Sequence, residues 1–268
     1  MLAVDMSLLE KADAIARKAG AAILEIYARD FSVQEKEDKS PLTEADAAAQ
    51  AVISAELKRQ TPDMPILSEE AVGDFPGPDA KGRYWLVDPL DGTREFIKRN
   101  GEFTVNIALI EAGRPVLGVV YAPVPDVMYL AAAGVGAFKV KDGVREPICV
   151  AEHKDGTPWR VVGSRSHAGD SLQALLDKLG AHELVSMGSS LKFCLVAEGS
   201  ADIYPRLGPT SLWDTGAAQC VVEQAGGAVI QLTGEPLSYA NPSATLNPFF
   251  MVHGRSGMDW ERYLSDLA

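Results

Sequence analysis

Cationic side chains are in short supply in this sequence: 25 lysines and arginines stand against 37 aspartates and glutamates, a formal net charge of -12. A nucleic-acid surface needs a basic face to offset the phosphate backbone, so the balance argues against bulk binding of DNA or RNA. Cysteine is scarcer still. Cys149, Cys194 and Cys220 are odd in number and far apart. They give neither a disulfide framework nor a zinc spacing, and fit buried reduced thiols in a cytoplasmic protein. No apolar run is long enough to span a bilayer. The most apolar stretch, Pro115 to Phe138, is broken by Pro123, Pro125, Asp126, Gly134 and Gly136, and reads as strands and turns. A secretory leader is not expected either, because Asp5 and Glu10 interrupt the N-terminus.

What remains is an ordinary globular composition, 47% hydrophobic and 23% charged over 268 residues, enough for one large core or two fused ones. Leu9, Ala12, Ala16, Ala19, Ile23 and Ile26 recur at helical spacing and predict a helix from about Leu8 to Tyr27, with Ser7 and Glu10 as a capping box. A polar segment, Gln34 to Ser40, precedes a second helix with Ala45, Ala49, Val52, Ile53 and Leu57 facing inward. Ile66-Leu67, Tyr84 to Val87, Phe103 to Ile110, Val116 to Tyr121, Met128 to Ala131 and Ala137 to Val140 read as strands.

Ala151 to Pro158 is charged and turn-rich, which predicts a boundary between an N-terminal α+β region (1–150) and a C-terminal α/β region (151–268). In the second region strands are expected at Arg160–Gly163, Leu184–Met187, Ala201–Tyr204 and Ala228–Leu232. Helices are expected at Ser171–Leu179, Leu191–Glu198 and Trp213–Gln224. The alternation implies an α/β layered sandwich.

Carboxylates stand where strands end: Glu69 and Glu70 after one, Asp88 and Asp91 after another, with Asp214 opening a helix beside Trp213. Crowded carboxylates repel unless a cation compensates them, and hard oxygen ligands select Mg²⁺, Ca²⁺ or Mn²⁺. In Asp88-Pro89-Leu90-Asp91-Gly92-Thr93, Pro89 stiffens the turn and Gly92 allows a positive φ or a close backbone approach. The two aspartates can point at one ion, with the Leu90 carbonyl facing the same way. Thr93 is expected to cap a short helix, Arg94 to Lys98, whose free N–H groups favour phosphate. Each piece alone has a commoner explanation. Asp-Gly is a frequent turn, Glu69-Glu70 a solvated pair, and Asp46, three after Thr43, a capping acid; Asp214 reads as a cap too. The combination is what carries weight.

The ordered set Asp46, Glu69-Glu70, Asp88-Pro89-Leu90-Asp91-Gly92-Thr93 and Trp213-Asp214-Thr215-Gly216-Ala217 resembles the inositol monophosphatase superfamily of lithium-sensitive, Mg²⁺-dependent small-molecule phosphatases. Asp91 to Ile110, Ser164-Arg165-Ser166-His167, Gly188-Ser189-Ser190-Leu191-Lys192 and Asn247-Pro248 are similar to its bacterial CysQ branch, 3'(2'),5'-bisphosphate nucleotidases of sulfur metabolism. One departure is Leu212, where that branch often has glutamate.

The resemblance implies a fold of alternating helix and sheet layers. It also implies hydrolysis of adenosine 3',5'-bisphosphate to AMP and phosphate. Glu69, Asp88, the Leu90 carbonyl, Asp91 and Asp214 are expected to hold two or three Mg²⁺ ions. Thr93 with Glu69 would take the proton of the attacking water, and Asp46 would support Thr93. Gly92, Thr93, Ser164, His167, Ser189, Lys192, Arg206 and Asp214 would contact substrate. Action on inositol phosphate or fructose 1,6-bisphosphate, and a catalytically silent metal- or nucleotide-binding protein, are the alternatives. No integral membrane segment is expected, and both monomer and homodimer remain open.

Overall fold

The computed structural model describes residues 3–35, 41–164 and 170–265. The chain opens with α1 (Met6–Tyr27), whose Leu9, Ala12, Ile15, Ala16, Ala19 and Ile23 are almost wholly buried. Its cap is not the Ser7–Glu10 box. Asp5 accepts from Leu8 N at 2.9 Å, so the helix begins two residues earlier than the apolar spacing alone suggests. Two short strands, β1 (Val33–Glu35) and β2 (Pro41–Thr43), pair antiparallel ahead of α2 (Glu44–Gln60). Here the capping box does form, between Thr43 and Asp46.

The first sheet has seven strands in chain order: β3 (Ile66–Ser68), β4 (Tyr84–Asp91), β5 (Thr104–Glu111), β6 (Arg114–Ala122), β7 (Val127–Ala132), β8 (Gly136–Lys141) and β9 (Val144–Pro147). Only β3 and β4 run parallel; the rest is an antiparallel meander, closed by short turns from β5 onward. Both faces are covered, which explains why its strands read as nearly continuous apolar runs. Trp85, Val87, Val105, Ile107 and Leu109 turn towards α1 and α2. Tyr84, Leu86, Ala108 and Ile110 turn the other way, into a core shared with α5 (Leu191–Ala197) and α6 (Gly216–Gln224).

The second sheet lies beyond those helices, in the order β11 (His182–Met187), β10 (Trp159–Ser164), β12 (Ile203–Arg206), β14 (Phe250–His253), β13 (Ala228–Gln231). Its far face packs on α4 (Asp170–Leu179) and α7 (Trp260–Ser265) through Val161, Leu175, Met251, Trp260 and Leu264. The result is the expected layering, helices–sheet–helices–sheet–helices. The strands of the first sheet fall within 66–147 and those of the second within 159–253, while one core of buried side chains joins them.

Several elements depart from the sequence expectation, among them the short strands β1, β2 and β9, which it did not foresee. The helix expected from Trp213 is a 3-10 turn, Leu212–Asp214, followed by α6. Strand β14 and helix α7 are additions; β14 runs antiparallel to both neighbours and makes the sheet mixed. The layers approach closely at Gly118, where an added Cβ would lie 2.2 Å from the Ala217 carbonyl oxygen. Among the described residues no helix is long and apolar enough to cross a membrane.

Candidate active site

The parallel pairing of β3 and β4 builds the site's first wall. Ser68 is in register with Val87, so Glu69, the first residue past β3, follows beside Asp88, which is still within β4. Asp214 reaches the same place from the 3-10 turn before α6. Glu69, Asp88 and Asp214 each present a carboxylate oxygen within 4.8 Å of the other two. Glu70 lies on the same 3-10 turn as Glu69 and is not one of the three.

The loop after Asp88 breaks the β4–β5 register between Asp88 and Asp91, which lets this stretch turn away from the ladder. Leu90 N donates back to Asp88 Oδ1 at 3.0 Å. Gly92 has φ 95°, which strains any L side chain, and a Cβ there would also sit tightly, 3.1 Å from the Glu102 carbonyl oxygen and 3.3 Å from Ser189 Cβ. Gly92, not Thr93, is the cap of α3 (Thr93–Ile97); Thr93 is its first helical residue. That register places Thr93 Oγ1 3.4 Å from Asp46 Oδ1 and 3.4 Å from the Leu90 carbonyl. Asp46 is buried, and its Oδ2 accepts from Thr43 N at 2.8 Å and Thr43 Oγ1 at 2.7 Å.

Electrostatically the cluster asks for a cation. Asp88 is 1% exposed, and burial, with the charges of Glu69, Asp91, Asp214 and Asp46, pushes its carboxyl well above the usual range. Burial, then Asp91 and Glu69, pushes Asp214 up to about 7. Asp88, Asp91 and Asp214 make no ion pair with a described residue. Histidine and cysteine are absent from the three-carboxylate group. Hard oxygen donors of this kind suit Mg²⁺ or a similar ion and disfavour zinc or copper.

A cavity of about 130 Å³ adjoins this wall, lined among others by Asp91, Asp214, Ser189, Lys192 and Arg206. Lys192 is buried. Its Nζ donates to the Ser189 carbonyl at 2.5 Å and lies 5.5 Å from the centre of the Tyr204 ring. Burial lowers its pKa while the Asp91 charge opposes that shift. Arg206 Nη2 donates to the Pro209 carbonyl, whereas Arg206 Nε and Thr210 Oγ1 are buried with no partner among the described residues. Buried orphan donors beside a cavity are what a polar ligand would satisfy.

Of the residues expected from sequence, Asp46, Glu69, Asp88, Leu90, Asp91, Gly92, Thr93 and Asp214 converge here, and Ser189, Lys192 and Arg206 line the adjoining cavity. His167 and the Ser164 side chain lie outside the described residues. Ser190 and Asn106 are also built into the site, as neighbours of Asp91: Ser190 N donates to Asp91 Oδ2 at 2.6 Å. The signal for Asn106 was present in the sequence. It is a polar amide in the middle of Val105-Asn106-Ile107-Ala108-Leu109, and a buried amide needs partners. Glu102 is another unforeseen contact, accepting from Gly188 N at 2.8 Å.

Layering of this kind around a cleft of carboxylates defines a known class of protein: the chain belongs to the inositol monophosphatase family, whose model matches residues 5–257. Within it, the chain is 54% identical over 250 residues to the 3'(2'),5'-bisphosphate nucleotidase CysQ of Escherichia coli O157:H7, an alignment covering 91% of this chain and 99% of that protein. The crystal structure of CysQ from Bacteroides thetaiotaomicron is 43% identical with a TM-score of 0.79, over 93% of this chain and 97% of that one. The Thermotoga maritima IMPase TM1415 structure is 26% identical with a TM-score of 0.80, over 98% of each chain.

Proposed function

We propose that this chain is a Mg²⁺-dependent 3'(2'),5'-bisphosphate nucleotidase that converts adenosine 3',5'-bisphosphate and water to AMP and phosphate. The observation that carries the reading is a single cavity lined by both signs of charge, the carboxylates Asp91 and Asp214 together with the buried Lys192 and the half-buried Arg206. A substrate with two phosphates needs a different partner at each end. One phosphate requires metal, because the nearby side chains are anionic; the other meets side chains that are already cationic. Similarity to proteins named for this activity supports the same choice.

Glu69, Asp88, the Leu90 carbonyl, Asp91 and Asp214 would hold two or three ions. Bound Mg²⁺ in such a site polarises phosphoryl oxygens and lowers the pKa of a water. The chain's own groups supply the rest. Thr93 and Glu69 orient the attacking water and accept its proton as its oxygen bonds to phosphorus, the Thr93 hydroxyl passing its own proton on to the Asp46 carboxylate. Asp46, holding Thr93 at 3.4 Å, keeps that hydroxyl turned so that its lone pairs face the water. The bond from phosphorus to the ribose 3'-oxygen breaks, and that oxygen leaves near Asp214 and takes up a proton. The glycine at 92 lets the loop backbone come close to the reacting phosphate. Lys192 and Arg206 bind the 5'-phosphate, with Ser189 beside them; Ser164 and His167 complete nucleotide recognition in this proposal.

Phosphate release measured side by side from adenosine 3',5'-bisphosphate, inositol 1-phosphate and fructose 1,6-bisphosphate tests the reading. A preference for the nucleotide that chelator abolishes and millimolar Li⁺ suppresses is expected. A preference for either of the other two substrates overturns the substrate assignment. Release from none of them overturns the enzyme reading and favours a silent binding protein.

A further inference from the structure

Ser190 and Asn106 are each 1% exposed and both lie against Asp91. Ser190 meets Asp91 twice, its backbone N–H donating to Oδ2 at 2.6 Å and its hydroxyl lying 2.7 Å from the same oxygen. Asn106 Nδ2 donates to Ser190 Oγ at 2.8 Å and approaches Asp91 Oδ2 at 3.4 Å. With the amide donating to it, the hydroxyl must direct its single proton elsewhere. Two acceptors are in reach at 2.7 Å, Asp91 Oδ2 and the Asp214 carbonyl. An ionised carboxylate is the stronger acceptor, so the proton goes to Asp91.

All of these bonds fall on one oxygen. Asp91 Oδ1 accepts no hydrogen bond from a described residue. A carboxylate among four others would otherwise rotate to relieve repulsion. Fixing Oδ2 from three donors holds Oδ1 in one orientation.

We infer that Ser190 is a positioning residue that aims Asp91 Oδ1 at the divalent cation, with Asn106 orienting the Ser190 hydroxyl. The inference rests on the proposed function only in taking Asp91 as a metal ligand. It adds an outer support that the family resemblance did not supply for this chain. Ser190→Ala keeps the backbone bond to Asp91 and removes only the hydroxyl, so the variant is suited to folding normally.

The test is a calorimetric Mg²⁺ titration of the full chain without substrate, for wild type, Ser190→Ala and Asn106→Ala. Denaturant midpoints of the same proteins are measured in chelator. Losing a hydrogen bond to a charged group predicts a Kd for Mg²⁺ raised about tenfold in Ser190→Ala. Asn106→Ala should shift it in the same direction by less. The Mg²⁺ concentration for half-maximal phosphate release should move in parallel. Equal affinity in wild type and Ser190→Ala overturns this inference alone, as does a lowered midpoint with unchanged Kd, the mark of a merely structural serine. A wild-type chain that binds no Mg²⁺ overturns the proposed function as well.

Discussion

Thr93 Oγ1 stands 3.4 Å from Asp46 Oδ1, although 47 residues separate them along the chain. Asp46 is already committed on its other oxygen to the start of α2, where Thr43 donates twice. The capping box therefore does two jobs. It starts the helix, and it presents one carboxylate oxygen to the first residue of α3. The commoner reading of Asp46, a capping acid, and the functional one are both satisfied by the same side chain.

Thr93→Ala is expected to lower kcat about a hundredfold, the usual scale for a group that moves a proton in the rate-limiting step. Asp46→Asn should lower it about tenfold or more, since an amide can turn its NH₂ towards Thr93 and lose the acceptor. The double variant should be little worse than Thr93→Ala, because both changes break one unit. Steady-state kinetics at saturating Mg²⁺ measure all three; fully additive losses would separate the two residues.

Metal and protons compete for the same carboxylates. In the metal-free protein, burial and then the charges of Asp91 and Glu69 raise Asp214 to about 7, and burial raises Asp88 as well. The folded state thus holds protons that the unfolded chain releases near the ordinary carboxylate range. Their stabilising effect is full below that range and is lost as pH rises through about 7. Melting in chelator should therefore move to lower temperature between about pH 5 and about pH 8, if these groups dominate the change. Added Mg²⁺ replaces those protons, so its increment in Tm should be larger at about pH 8 than at about pH 5. An increment independent of pH would sink the assignment of Asp88 and Asp214 to the ion.

The layered fold and the carboxylate wall were legible in the sequence because they rest on local signals. Apolar spacing marks α1 and α2, and Asp88 to Thr93 carries its own turn chemistry in Pro89 and Gly92. The reach from Ser190 to Asp91 was not legible. It spans 99 residues and depends on how α5 is docked between the sheets, which no local pattern encodes. Thr93 as a cap failed for a different reason. Gly92 at φ 95° does the capping, and Thr93 and Gly92 are both acceptable caps by residue type. The short strand β14 was missed because Phe249 to Val252 lacks alternation: Phe250, Met251 and Val252 are all buried, on a strand covered on both faces.

Lys192 separates substrate binding from metal chemistry. It is buried, faces the cavity and contacts no member of the three-carboxylate group by hydrogen bond. Lys192→Ala should raise KM for adenosine 3',5'-bisphosphate about tenfold or more, the loss expected for a charge-assisted contact to phosphate. The Kd for Mg²⁺ should hardly move. An unchanged KM would remove Lys192 from the substrate site.

Gly118 tests the link between packing and the metal wall. A Cβ there would lie 2.2 Å from the Ala217 carbonyl oxygen and 2.9 Å from Cys220 Cβ, so backbone has to give way. Gly118→Ala is expected to cost about 1–3 kcal/mol, the scale of overpacking a filled core, read as a lower denaturant midpoint. Gly257, with nothing within 4 Å of an added Cβ and no positive φ, is the control. Gly257→Ala should be neutral or gain up to about 1 kcal/mol through the unfolded chain. The Ala217 carbonyl pushed by Gly118→Ala belongs to the first turn of α6, which begins two residues after Asp214. Displacing that turn moves Asp214 relative to Glu69 and Asp88, so Mg²⁺ affinity should fall along with stability. A variant that loses stability yet binds Mg²⁺ as tightly as wild type would show that the Ser211–Asp214 capping box, not the seating of α6 on β6, fixes the third carboxylate.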